Sequence, residues 1–68
     1  MARTTNIIKG MQILLPYYSE PEFGYHTAAE HDVIYMYPTD SPVSDDDMAR
    51  LADLGWRPSD SDGWEIFT

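Results

Sequence analysis

The stretch Val43–Trp56 specifies both ends of a helix within its own residues. Ser44 is placed to cap the first turn, and Asp47, three residues on, makes an acidic variant of the capping box. Val43 and Met48 stand at the two positions of a hydrophobic staple. Met48, Leu51 and Ala52 recur as an apolar stripe, and Gly55 occupies the place where helices end in a left-handed residue. The pattern predicts a helix over Asp45–Leu54, around which the rest of a short chain must be arranged.

An earlier helix is expected over about Asn6–Leu15. Thr4, Thr5 and Asn6 offer a cap, and Ile7, Met11, Leu14 and Tyr18 recur at helical spacing beside Ile8 and Leu15. Gly10 weakens it, and Pro16 ends or kinks it. A strand over Met11–Leu15 is the competing reading. Residues 19–30 read as a loop punctuated by Pro21 and Gly24, with Phe23 and Tyr25 pinning it to the core. His31–Tyr37 is rich in β-branched and aromatic residues and reads as a central strand. Its Val33, Tyr35 and Tyr37 share one face and Ile34 and Met36 the other, with one face under the helices and the other covered by tyrosine rings. Trp56 and Arg57 begin a short strand limited by Pro58, Ser59–Gly63 form a turn, and Trp64–Phe67 closes a hairpin. The expected fold is α+β, in the order α-β-α-β-β: one domain over residues 1–68, with two helices on a small, largely antiparallel, three-stranded sheet.

With 68 residues and no cysteine, the core is unsupported by disulfides or thiolate-bound zinc. The start lacks the apolar run of a signal peptide, and the longest purely apolar run, Ile13–Pro16, is too short to span a bilayer. Twelve acidic side chains oppose four basic ones, for a formal charge of −8. That sign argues against direct binding to nucleic acid or to an anionic membrane. The excess is uneven. Residues 38–68 hold Asp40, Asp45, Asp46, Asp47, Asp53, Asp60, Asp62 and Glu65 against Arg50 and Arg57, whereas residues 1–37 hold only four acids, against Arg3 and Lys9.

The candidate partner-binding residues are therefore Asp40, Asp45, Asp46, Asp47, Asp53, Asp60 and Asp62, spaced to imitate a phosphate backbone before a basic groove. Part of this acid has a structural explanation. Carboxylates in a first helical turn gain about 0.3–1 kcal/mol each from the dipole, and Arg50 can reach Asp46 or Asp47. A possible second site comprises Tyr25, His26, Glu30 and His31. Imidazoles and carboxylates ligate metals and shuttle protons, but His-x4-His matches no familiar metal site, and capping of the loop explains them as well. Residues 60–63, Asp-Ser-Asp-Gly, read as a turn rather than a calcium loop, which would run beyond the chain. Tyr17, Tyr18, Tyr25, Tyr35, Tyr37, Trp56 and Trp64 could stack single-stranded bases; without a basic groove they read mostly as core, with one or two exposed tyrosines as interface anchors. No catalytic residue, metal or cofactor is expected.

Residues 23–37, then Thr39–Asp47, Leu51–Trp56 and Gly63–Phe67, together with the upstream Ile13-Leu14-Leu15-Pro16-Tyr17-Tyr18, resemble a family of short acidic proteins encoded by bacteriophages and prophages. The resemblance spans almost the whole chain and implies an accessory protein acting in the host cytoplasm, with no catalytic residue to carry over. In general character such proteins resemble inhibitors of host defence, anti-CRISPR proteins among them. The expected function is inhibition of a host nucleic-acid-handling or defence complex through a basic surface of a host protein. The alternative is a structural or assembly accessory of the virion, self-associating through exposed tyrosines.

Overall fold

A computed structural model describes residues 2–22, 24–60 and 62–68. Helix α1 covers Thr4–Leu14 and runs into a 3-10 turn over Leu15–Tyr17, with Pro16 inside it. Strands β1 (Thr27–Glu30) and β2 (Val33–Met36) follow, then helix α2 (Asp45–Leu54), β3 (Arg57–Pro58) and β4 (Trp64–Phe67). The sheet is antiparallel throughout, in the order β1-β2-β4-β3.

The α+β class and the two helices are as expected, but the sheet has four strands rather than three. The added strand, β1, lies in the segment expected to be a loop. Thr-Ala-Ala-Glu carries little β-propensity of its own; β2 recruits it through a two-residue hairpin turn, His31–Asp32. His31 takes φ 52° there, a left-handed conformation in which His is enriched. The expected strand over His31–Tyr37 is accordingly shortened to Val33–Met36. Tyr25 does not pin the segment down, being 94% exposed; Phe23 lies outside the described residues.

α2 has the expected bounds. Ser44 Oγ accepts from the Asp47 N–H at 3.2 Å, and Gly55 closes the helix at φ 97°. The stripe is narrower than expected: Leu51 is fully buried, while Met48 and Ala52 are exposed. α1 begins two residues before Asn6, and its cap position, Arg3, makes no side-chain bond.

Both helices cover one face of the sheet. Met36, Trp64 and Ile66 point into the core with Leu14, Tyr18, Leu51 and Trp56. On the opposite face, Val33 and Tyr35 of the central strand are half-buried, and Tyr37 and Phe67 are about half exposed (48% and 46%). Tyrosine rings therefore do not seal that face. Arg57 partly shields it, its guanidinium 4.1 Å from the Phe67 ring centre and 3.5 Å from Glu65.

The two layers are joined at Gly10. The Trp56 indole lies against its backbone and donates to the Asn6 carbonyl at 3.1 Å, satisfying the ring N–H of a residue only 2% exposed. A Cβ at Gly10 would stand 1.9 Å from Trp56 Nε1. Gly10→Ala should gain about 1 kcal/mol in helix propensity and lose more to overpacking, which costs about 1–3 kcal/mol or above in a tight core. We expect a net loss of up to about 2 kcal/mol, read as a lower urea midpoint at unchanged m-value.

Candidate functional site

The acidic residues are sorted by the topology. β4 begins opposite Met36, so the β3–β4 turn lies where β2 ends. Gly63 confirms the closeness: its Cβ position falls 2.3 Å from the Met36 carbonyl oxygen, a spot only glycine can occupy. Asp60 and Asp62 sit in that turn. From the same end of β2 the chain passes Asp40 and climbs to the start of α2, where Asp45, Asp46 and Asp47 stand. Tyr17 holds both segments: its carbonyl accepts from the Asp40 and Ser41 N–H groups at 3.1 and 3.2 Å, and its hydroxyl donates to Asp47 Oδ2.

Six of the seven candidate acids thus gather at one pole of the molecule. Glu20 and Glu22 join them, because Ser19 is bonded to Asp40. Asp53 does not belong there. It lies eight residues past Asp45, about 12 Å along the helix axis, and lines an open groove of about 630 Å³ between α1 and α2 whose other end reaches Asp47 and Arg50.

Three of the gathered acids have structural work. The Asp40 carboxylate accepts from the Ser19 N–H at 2.7 Å, and this bond, with a smaller pull from His26, holds its pKa below the ordinary value. Asp47 takes the Tyr17 hydroxyl and lies 3.7 Å from Arg50; the Tyr17 oxygen also accepts from the Ser44 N–H at 3.2 Å. Asp62 supplies the positive φ of its turn, 69°, a conformation Asp tolerates. Asp45, Asp46 and Asp60 are exposed, and the ion pairs among the described residues, Arg50–Asp47 and Arg57–Glu65, leave them out.

The residues of the possible second site do not converge. His26 is half-buried against Tyr18, ring centres 4.2 Å apart. Glu30 and His31 stand at the other end of β1, more than 10 Å away at strand rise. Tyr25 projects into solvent. Among the described residues no group of three or more His, Asp or Glu side chains could hold a metal ion, and no helix is long and apolar enough to cross a membrane. Tyr18 was not singled out as a site residue, yet it organises this corner. Its hydroxyl donates to the Tyr37 carbonyl, and burial, then the Asp40 charge, raise its pKa.

No protein-family model matches the chain, and no curated protein or solved structure does either.

Two measurements check this reading of the pole. Tyr17→Phe removes a hydroxyl that links α1 to the α2 cap; such bonds are worth about 0.5–1.5 kcal/mol, more with a charged partner, so the urea midpoint should fall. Asp40 titrates lower in the folded than in the unfolded chain. Its contribution is therefore complete above the ordinary carboxylate value and lost as pH falls through the lowered one. Between pH 5 and pH 2 the stability of Asp40→Asn should fall less steeply than that of the parent chain.

Proposed function

We propose that the chain is a non-catalytic binding protein whose acidic pole occupies a basic, nucleic-acid-binding surface of a host protein. The observation that carries this reading is the convergence of acids from four separate segments: residues 20–22, Asp40, Asp45–Asp47 and the Asp60–Asp62 turn. Helix capping accounts for acid at Asp45–Asp47, but not for acid brought to the same end by the other three segments. Among the described residues, Arg50 pairs with an acid of the pole and Arg57 with Glu65 on the sheet.

Charge of one sign concentrated at one end sets up a field that attracts a basic partner and speeds encounter. Asp45, Asp46 and Asp60 supply it at little cost, since they are exposed and their carboxylates lie outside the ion pairs among the described residues. Asp40 and Asp47 hold the pole in shape. The resemblance to short acidic phage proteins supports a host defence or nucleic-acid-handling complex as the target, met in the host cytoplasm.

The test is capture from a host lysate on the immobilised protein at low salt, followed by titration of the purified captured protein. Asp45→Asn/Asp46→Asn/Asp60→Asn should weaken binding at least about tenfold, equivalent to about 1.4 kcal/mol, and should flatten its salt dependence. Nucleic acid should compete with the parent chain for the captured protein. Affinity indifferent to salt and to the triple change would remove the electrostatic reading.

A further inference from the structure

The two edges of the sheet are finished differently. In an antiparallel ladder, hydrogen-bonded and non-bonded residue pairs alternate. The Ser59 N–H donates to the Gly63 carbonyl, so the Arg57–Glu65 pair is bonded and Pro58, opposite Trp64, turns outward. The outer edge of β3 thus carries a proline where a free N–H would otherwise point to solvent. That is a standard way of closing an edge to further strands.

β1 has no such block. The Tyr37 N–H donates to the His26 carbonyl, which makes Ala28–Tyr35 and Glu30–Val33 the bonded pairs of the register. The N–H and C=O groups of Thr27 and Ala29 therefore face outward. The strand has four residues, no proline, no lysine and two alanines. Beside it, on the helix side, α1 forms an apolar groove of about 250 Å³ with Ile8, Met11 and Leu15 facing His26 and Thr27. Ile8 is 49% and Leu15 38% exposed, so the apolar stripe of α1 runs past the end of the sheet it covers.

We propose that this seam, β1 with the outer side of α1, binds a second copy of the chain. Antiparallel pairing about Ala28 would set Thr27 of each copy opposite Ala29 of the other and satisfy the outward groups of both. The small side chains at these positions let the two α1 helices approach above the joined sheets, covering Ile8 and Leu15. Charge singles out the same face. Two copies of a chain of net charge −8 repel, and they can meet only where like charge is thinnest. Residues 2–18 contain Arg3 and Lys9 and no acid, and β1 contains only Glu30. Asp60 and Asp62, in the turn between β3 and β4, lie on the far side of the sheet from β1. A seam of one short strand and two apolar side chains is small for a stable dimer, so association should be weak.

Sedimentation equilibrium of the parent chain over a wide concentration range tests this, alongside Ala29→Pro and Ile8→Lys. Ala29→Pro copies at β1 what Pro58 does at β3. It removes an outward N–H, leaves the β1–β2 bonds in place, and should give a monomer with an unchanged circular dichroism spectrum. Ile8→Lys changes an exposed position away from the ladder and should weaken association at least about tenfold. It keeps the test decisive if the proline variant unfolds. Added salt should strengthen the dimer by screening repulsion, opposite to its effect on binding by the acidic pole, so the two interactions can fail independently. A parent chain that stays monomeric at millimolar concentration overturns the proposal and leaves the edge to a strand of another protein. A dimer that survives both substitutions places the contact elsewhere and overturns it equally.

Discussion

The Trp56 ring lies close against α1 at Gly10, and most of the architecture follows from that contact. Trp56 comes directly after the Gly55 cap of α2 and directly before β3. One side chain therefore fixes the end of one helix, the start of an edge strand and the middle of the other helix. The indole N–H to Asn6, fifty residues away in sequence, sets the rotation of α1. With α1 so placed, Leu14 enters the core, Tyr17 meets the start of α2, and Tyr18 closes the open end of the β1–β2 hairpin.

This dependence explains what could be read from the sequence. α2 was legible because its signals are local: Ser44, Asp47 and Gly55 act within or beside the helix, and its bounds are as expected. β1 was illegible because nothing in Thr27–Glu30 favours a strand alone. It exists through pairing with β2, a tertiary effect that overrides propensity. Gly10 shows the same limit from the other side. As a helix residue it weakens α1, and its reason lies in a ring near the far end of the chain.

The candidate site divides along the same line. That Asp45–Asp47 would stand on a helix start was visible in the sequence. The bonds that occupy Asp40 and Asp47 were not, because their partners, Ser19 and Tyr17, lie 21 and 30 residues away. The charge imbalance between residues 1–37 and 38–68 proved a partial guide: it grouped Asp53 with the pole and left out Glu20 and Glu22, which the loop before β1 carries to Asp40.

Charge and edge chemistry occupy different parts of this small molecule, and one cause accounts for both. α1 must lie close over the sheet to meet Trp56, so its outer side overhangs β1, and the absence of acid from residues 2–18 keeps that overhang from sharing the field of the pole. The acids come in with the connections. The segments that carry Glu20, Asp40 and Asp60 are turns and loops, whose polar backbones need solvent, and antiparallel strands of matched length deliver their connections to the ends of a sheet. With the His31–Asp32 turn at one end, the 38–44 connection and the 59–63 turn must fall at the other. A four-stranded antiparallel sheet of this order therefore concentrates whatever its longer connections carry, and in this chain they carry aspartate.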